Sequence, residues 1–187
     1  MKVMAWRYMK LTVKEMAYTA IMAAVISVLS PIAVPLAGEV PISLATLAVM
    51  LAGALLGRRL GSLSVLIYIL LGMIGLPVFA NYAAGAGIVF GMTGGYIIGY
   101  IPLAYMTGLF RERNGKQNVY SSVACGALTG TVILYVLGTA WFMYYTQMPL
   151  GGALAACVFP FIPGDLIKTA VVCLLTPRIL PALENRL

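Results

Sequence analysis

Long apolar runs, each near the length needed to cross about 30 Å of hydrocarbon, alternate along this chain with short basic clusters and with uncharged stretches rich in glycine and proline. The first run predicts a helix over about 15–34, bent or ended by Pro31 and Pro35. A short connection, 36–41, carries Glu39. A second helix over about 43–57 starts at Ser43, a candidate N-cap, and ends at a glycine. Arg58 and Arg59 form the turn to a third helix over about 61–76. A fourth, 94–110, stops in the polar run Arg111-Glu112-Arg113-Asn114-Gly115-Lys116, and a fifth covers about 119–145. The sixth spans about 164–183, beginning at Gly164-Asp165. Two connections, 77–90 and 147–163, are loops by their prolines and glycines, yet they are uncharged and mostly apolar. Water-facing loops are rarely so greasy.

Composition turns this pattern into a fold class. Only 9% of the 187 residues are charged and 62% are hydrophobic, against about 25% charged in soluble domains, and mean hydropathy is +1.00. The expectation is an all-α integral membrane protein, one domain over 1–187, built as a six-transmembrane-helix bundle. Basic residues precede the first apolar run, as in a signal peptide, but no small-residue cleavage site with a polar domain beyond it follows, so that run reads as a retained helix. No internal repeat is visible.

Charge gives the orientation. Eleven of the twelve lysines and arginines fall in the N-terminal arm, the 2–3 turn, the 4–5 turn and the C-terminal end. The positive-inside rule then puts both termini in the cytoplasm. The net charge of +7 is therefore topological, and no basic face suggests nucleic acid. The three cysteines, Cys125, Cys157 and Cys173, sit in apolar surroundings, with no CxxC and no histidine to complete a metal site. The lack of histidine also removes Ser-His and Cys-His catalysis. No P-loop occurs, and no chain of buried acids suggests ion coupling. A binder, not an enzyme, is the expectation, with no catalytic residue, no metal and no cofactor of its own.

Outside the cytoplasmic segments three charges remain: Glu39, Asp165 and Lys168. Glu39 reads as solvated in an outer loop. Asp165 and Lys168 stand at i and i+3, on one face of the sixth helix in its first turn. An ionised group at such depth costs roughly 2.5–3.5 kcal/mol on insertion scales and normally faces a cavity or a partner. The helix dipole favours the aspartate there and disfavours the lysine, so Lys168 needs an anion. Asp165, a ligand carboxylate or both could supply it. The plain alternative is that Asp165 caps the helix while Lys168 pairs with it or snorkels outward. The apolar outer loops could close a cup of the kind that holds small molecules, with Asn81, Tyr82, Thr93 and Tyr96 as polar contributors. Each of these could instead be an ordinary turn or interface residue. Ala20 and Ala24, four apart on the first helix, could let another helix backbone approach, or be filler.

Four ordered blocks then carry a resemblance. They are Val40-Pro41-Ile42-Ser43-Leu44 running through Thr46-Leu47-Ala48 to Gly57, then Gly75-Leu76-Pro77-Val78-Phe79-Ala80, Thr93-Gly94-Gly95-Tyr96-Ile97-Ile98-Gly99, and Phe161-Ile162-Pro163-Gly164-Asp165-Leu166-Ile167-Lys168. With these the chain resembles, over nearly its whole length, the biotin-specific S components (the BioY family) of energy-coupling-factor transporters. Met92 stands where the family usually has proline. The resemblance implies an S-component fold with N-in/C-in topology in a bacterial or archaeal plasma membrane. It implies capture of biotin near the outer face. The partners it implies are a transmembrane coupling subunit and two ATPase subunits, which alone use ATP. Asp165 and Lys168 match the family's biotin-contacting pair, Asn81 aligns with a position that can contribute, and Ala20 and Ala24 look like the docking face. Other readings stay open: an S component for another vitamin or small carboxylate, a stand-alone membrane binder, an intramembrane enzyme using Asp165 and Lys168 as acid and base, or a purely structural subunit.

Overall fold

A computed structural model describes residues 11–34, 41–114 and 118–184. The basic residues Lys2, Arg7, Lys10, Lys116 and Arg186 and the loop acid Glu39 lie outside the described residues.

Helix α1 (Val13–Leu29) opens on a capping box in which Thr12 Oγ1 accepts from the Glu15 amide while the Glu15 carboxylate accepts from the Thr12 amide. It ends five residues before the expected 34, capped at Ser30, because Pro31 cannot continue the ladder. The chain then runs extended. Strand β1 (Ala33–Val34) pairs antiparallel with β2 (Ile42–Ser43), a short ribbon that departs from the all-helical expectation.

The second and third expected helices lie in one element, α2 (Ala45–Met73), interrupted at Gly57 with φ 81° and ψ 177°. On a straight helix Gly53 and Gly61, eight residues apart, would be separated by about 12 Å. Yet a Cβ on Gly61 would sit 2.8 Å from the Gly53 Cα. The element is therefore a hairpin of two arms, 45–56 and 58–73. Both ends of the break are capped from the end of α4 (Gly94–Asn114). Arg111 donates from Nε to Ala54 O and from Nη2 to Leu55 O, each at 2.9 Å. Glu112 accepts from the Arg58 amide at 2.8 Å and pairs with its guanidinium at 3.2 Å. Carbonyls left over at one helix end and an amide at the next thus find partners in adjacent residues.

The second uncharged connection is largely helical. It holds α6 (Leu150–Cys157) between α5 (Val119–Thr146) and α7 (Ile162–Glu184). The first holds a one-turn 3-10 segment (Ala80–Tyr82) and a one-turn helix α3 (Ala86–Val89). It is pinned by Phe79, which fills the space that a side chain on Gly72 would take and meets Tyr68 edge-on at 5.6 Å.

The α2 hairpin, α4 and α5 form the packed frame, with Met50, Val65, Leu103, Val123, Leu134 and Phe142 at its centre. Helix backbones touch there: a Cβ on Gly130 would lie 3.0 Å from the Leu103 backbone, and one on Gly53 would collide with the Ala104 carbonyl. The outer surface is apolar, with Ile21, Val28, Leu70, Val132 and Leu174 all more than half exposed or close to it. A surface of that kind is suited to lipid, not water. Among the described residues α5 and Ile162–Leu183 are each long and apolar enough to cross a bilayer, and α2 meets the same length and composition only over its two antiparallel arms together.

Candidate functional site

The first turn of α7 carries the charged pair. Asp165 and Lys168 are 5% and 7% exposed, so Lys168 does not snorkel outward. Lys168 Nζ lies 3.0 Å from Asp165 Oδ1 and 2.9 Å from Thr46 Oγ1. Thr46 in turn donates to Asp165 Oδ1 at 3.0 Å. From α5 the Tyr135 hydroxyl donates to Asp165 Oδ2 at 2.7 Å. Three elements, α2, α5 and α7, thus meet on one carboxylate.

The inventory of bonds shows what this cluster can still do. An ammonium has three donors and a carboxylate about four acceptor sites. Among the described residues, Lys168 uses two donors and Asp165 three acceptor positions. One N–H and one lone-pair direction remain for a guest. The pair alone nearly neutralises itself, so an entering anion meets a lysine already held by Thr46.

The cluster borders a small cavity of about 40 Å³, whose wall also includes Tyr96, Tyr100 and Phe161. Pro41, Ser43, Tyr96 and Tyr100 are shared with a larger, more open cavity of about 270 Å³. That second space is lined by Tyr68, Phe79, Asn81, Thr93 and Ile97 among others. A charged inner end thus adjoins an aromatic, mostly apolar chamber. The arrangement suits a compact guest with polar groups at its ends.

Of the residues singled out in the sequence, Asp165, Lys168, Asn81, Thr93 and Tyr96 fall on these two cavities. Tyr96 joins both, its hydroxyl 3.0 Å from Thr139 Oγ1 and donating to Cys157 O at 3.4 Å. Asn81 sits at φ 56° and ψ 33°, and its amide donates to Pro31 O at 3.2 Å, tying the loop to the end of α1. Tyr82 departs from the expectation. The next residue in that left-handed turn, at φ 60°, it is swung outward, 69% exposed and part of neither cavity. Ala20 and Ala24 line neither cavity and are exposed on α1, beside the buried stripe of Thr19, Ala23 and Ile26. Thr46, Tyr135 and Tyr100 reach the site without having been expected there, and Ser43, expected only as a helix cap, lines both cavities. A hydroxyl amid the apolar run of α2 and a tyrosine in mid-α5 were the available signals. No group of three potential metal ligands lies together among the described residues.

Comparison with known proteins gives the family and the fold. A family model described as the BioY family matches residues 3–185. A protein named "Biotin transporter BioY" from Rhodobacter capsulatus is 42% identical, covering 79% of this chain and 82% of its own. One of the same name from Thermotoga maritima is 36% identical over 89% of this chain and 95% of its own. A solved structure described as the S-component for biotin from an ECF-type ABC transporter superposes with a TM-score of 0.83 at 30% identity, covering 91% of this chain and 94% of that one. These are names of transporters, not of enzymes. A match that leaves out only the two residues at each end, together with relatives of this identity over most of their length, makes the chain a member of the BioY family.

Proposed function

We propose that this membrane protein captures biotin as the substrate-binding subunit of an ECF-type ATP-driven importer. The observation that carries the reading is the buried Asp165–Lys168–Thr46 cluster at the inner end of an aromatic chamber. Biotin presents a carboxylate, a ureido group with two N–H donors and one acceptor, and an apolar thioether ring. Lys168 has a donor left for an anion or for the ureido oxygen, and Asp165 has acceptor capacity for an N–H. Asn81, Thr93 and Tyr96 supply polar atoms to the walls, and Tyr68, Phe79 and Tyr100 supply apolar area. A charge-assisted bond of this kind contributes about 1.5–3 kcal/mol.

The chain crosses the membrane six times, through α1, the two arms of α2, α4, α5 and α7, with both termini in the cytoplasm. Arg58, Arg59, Arg111 and Arg113 at the α2 and α4 turns support that orientation. A transmembrane coupling subunit docks on α1 at Ala20 and Ala24, where small side chains allow close approach. Two ATPases supply the energy that this chain has no motif to provide.

Titration calorimetry of the purified protein with biotin, without ATP or metal, tests the reading. Saturable heat is expected. An absence of both heat and competition against labelled biotin would remove the cargo.

A further inference from the structure

Tyr135 on α5 lines three spaces at once. Inward is the small polar cavity shared with Lys168 and Thr46. Outward are two open apolar grooves, of about 260 Å³ between α5 and α7 and about 270 Å³ between α5 and α6. The first is walled by Leu128, Val132 and Leu166, which are 44%, 61% and 52% exposed on the apolar surface. Asp165 borders both that groove and the inner cavity. A carboxylate in such a wall needs something to keep acyl chains off it and to turn it inward, since charge facing lipid is strongly disfavoured.

We propose that Tyr135 is a positioning residue with two separable roles. Its hydroxyl, 2.7 Å from Asp165 Oδ2, fixes the carboxylate so that Oδ1 stays with Thr46 and Lys168. Its ring closes the site sideways against the lipid. The first role rests on the biotin reading given above; the second needs no ligand.

The test uses the full chain in phosphatidylcholine nanodiscs in which some lipid carries a diazirine in its acyl chain. After illumination, adducts are mapped by peptide mass spectrometry, and biotin affinity is measured in the same preparations. In the unaltered protein, adducts fall on Leu128, Val132 and Leu166 and spare Thr46 and Tyr100. Tyr135→Ala spreads them to Thr46 and Tyr100. Tyr135→Phe keeps the original map yet binds biotin about tenfold more weakly or worse, as expected for one lost bond to a charged group. An unchanged map in Tyr135→Ala overturns the lateral role, and Tyr135→Val repeats that measurement if the alanine variant does not survive extraction. Unchanged affinity in Tyr135→Phe overturns the positioning role. If the unaltered protein binds no biotin, the cargo reading fails while the adduct map still decides the lateral one.

Discussion

Removing the ammonium of Lys168 separates what the charged pair does for the fold from what it does for the ligand. In Lys168→Met the carboxylate of Asp165, 5% exposed, keeps only the hydroxyls of Thr46 and Tyr135. Taking one partner from a buried pair costs about 3–5 kcal/mol. For a chain of this size that lowers the melting temperature by roughly 6–20 °C, at about 2–4 °C per kcal/mol. Asp165→Asn strands the ammonium and has a cost of the same order. The double variant Asp165→Asn/Lys168→Met removes both charges, and the asparagine carbonyl still accepts from Thr46 or Tyr135. Its melting temperature is expected to return most of the way, because replacing a buried pair by uncharged groups of similar volume is often neutral. Biotin affinity is not expected to return with it. Near-ultraviolet circular dichroism in detergent, with a biotin titration of each variant, reads both quantities. A double variant as unstable as the worse single would show that the two residues are not an electrostatic unit. A double variant with unaltered affinity would take the pair out of the binding site.

Other outcomes follow from individual positions. Asn81→Ala, on the larger cavity, should weaken biotin binding by a few-fold to about tenfold, the range for one neutral hydrogen bond. Tyr82→Ala, one residue on and 69% exposed, should change it by no more than about twofold; the reverse order would misplace the loop. Gly57→Ala should cost about 1–3 kcal/mol of stability, since φ 81° with ψ 177° is a region that only glycine enters freely. A Cβ there would also strike the Glu112 carboxylate; an unchanged melting curve would count against the hairpin break. Ala20→Trp or Ala24→Trp should leave the biotin titration intact and abolish co-purification with the coupling subunit. Retained co-purification would discard α1 as the docking face.

The pair on α7 was legible because it is local: three residues apart at the start of a helix, in a setting with no other charge. Its partners were not. Thr46 and Tyr135 lie 119 and 30 residues from Asp165 in sequence, and only the packing of α2 and α5 against α7 brings their hydroxyls to it. The hairpin break was legible from Gly57-Arg58-Arg59, but the cap that closes it comes from Arg111 and Glu112 on another helix. Glycine and proline misled at 147–163. Pro149 caps α6 from its N-terminal side, and Gly151 and Gly152 lie inside it, where packing against α5 overrides weak intrinsic propensity. Pro177 and Pro181 lie within α7 without ending it, as the expected helix over 164–183 already had them. As residue types Asn81 and Tyr82 read alike as polar loop contributors, although the resemblance favoured Asn81 alone. Their left-handed backbone decides which one faces the chamber, and nothing in the residue types announces it.

Where Gly53 rests on Ala104 and Gly130 on Leu103, main chain bears directly on main chain. Side chains can shrink, swap or rotate to suit a new guest, but such a seam has no slack to give. A relative with this frame that accepts a different cargo would then differ in the side chains lining the chamber, with the seam left alone. The same rigidity means that a guest too large for the chamber is refused by the walls, not accommodated by a swelling of the bundle.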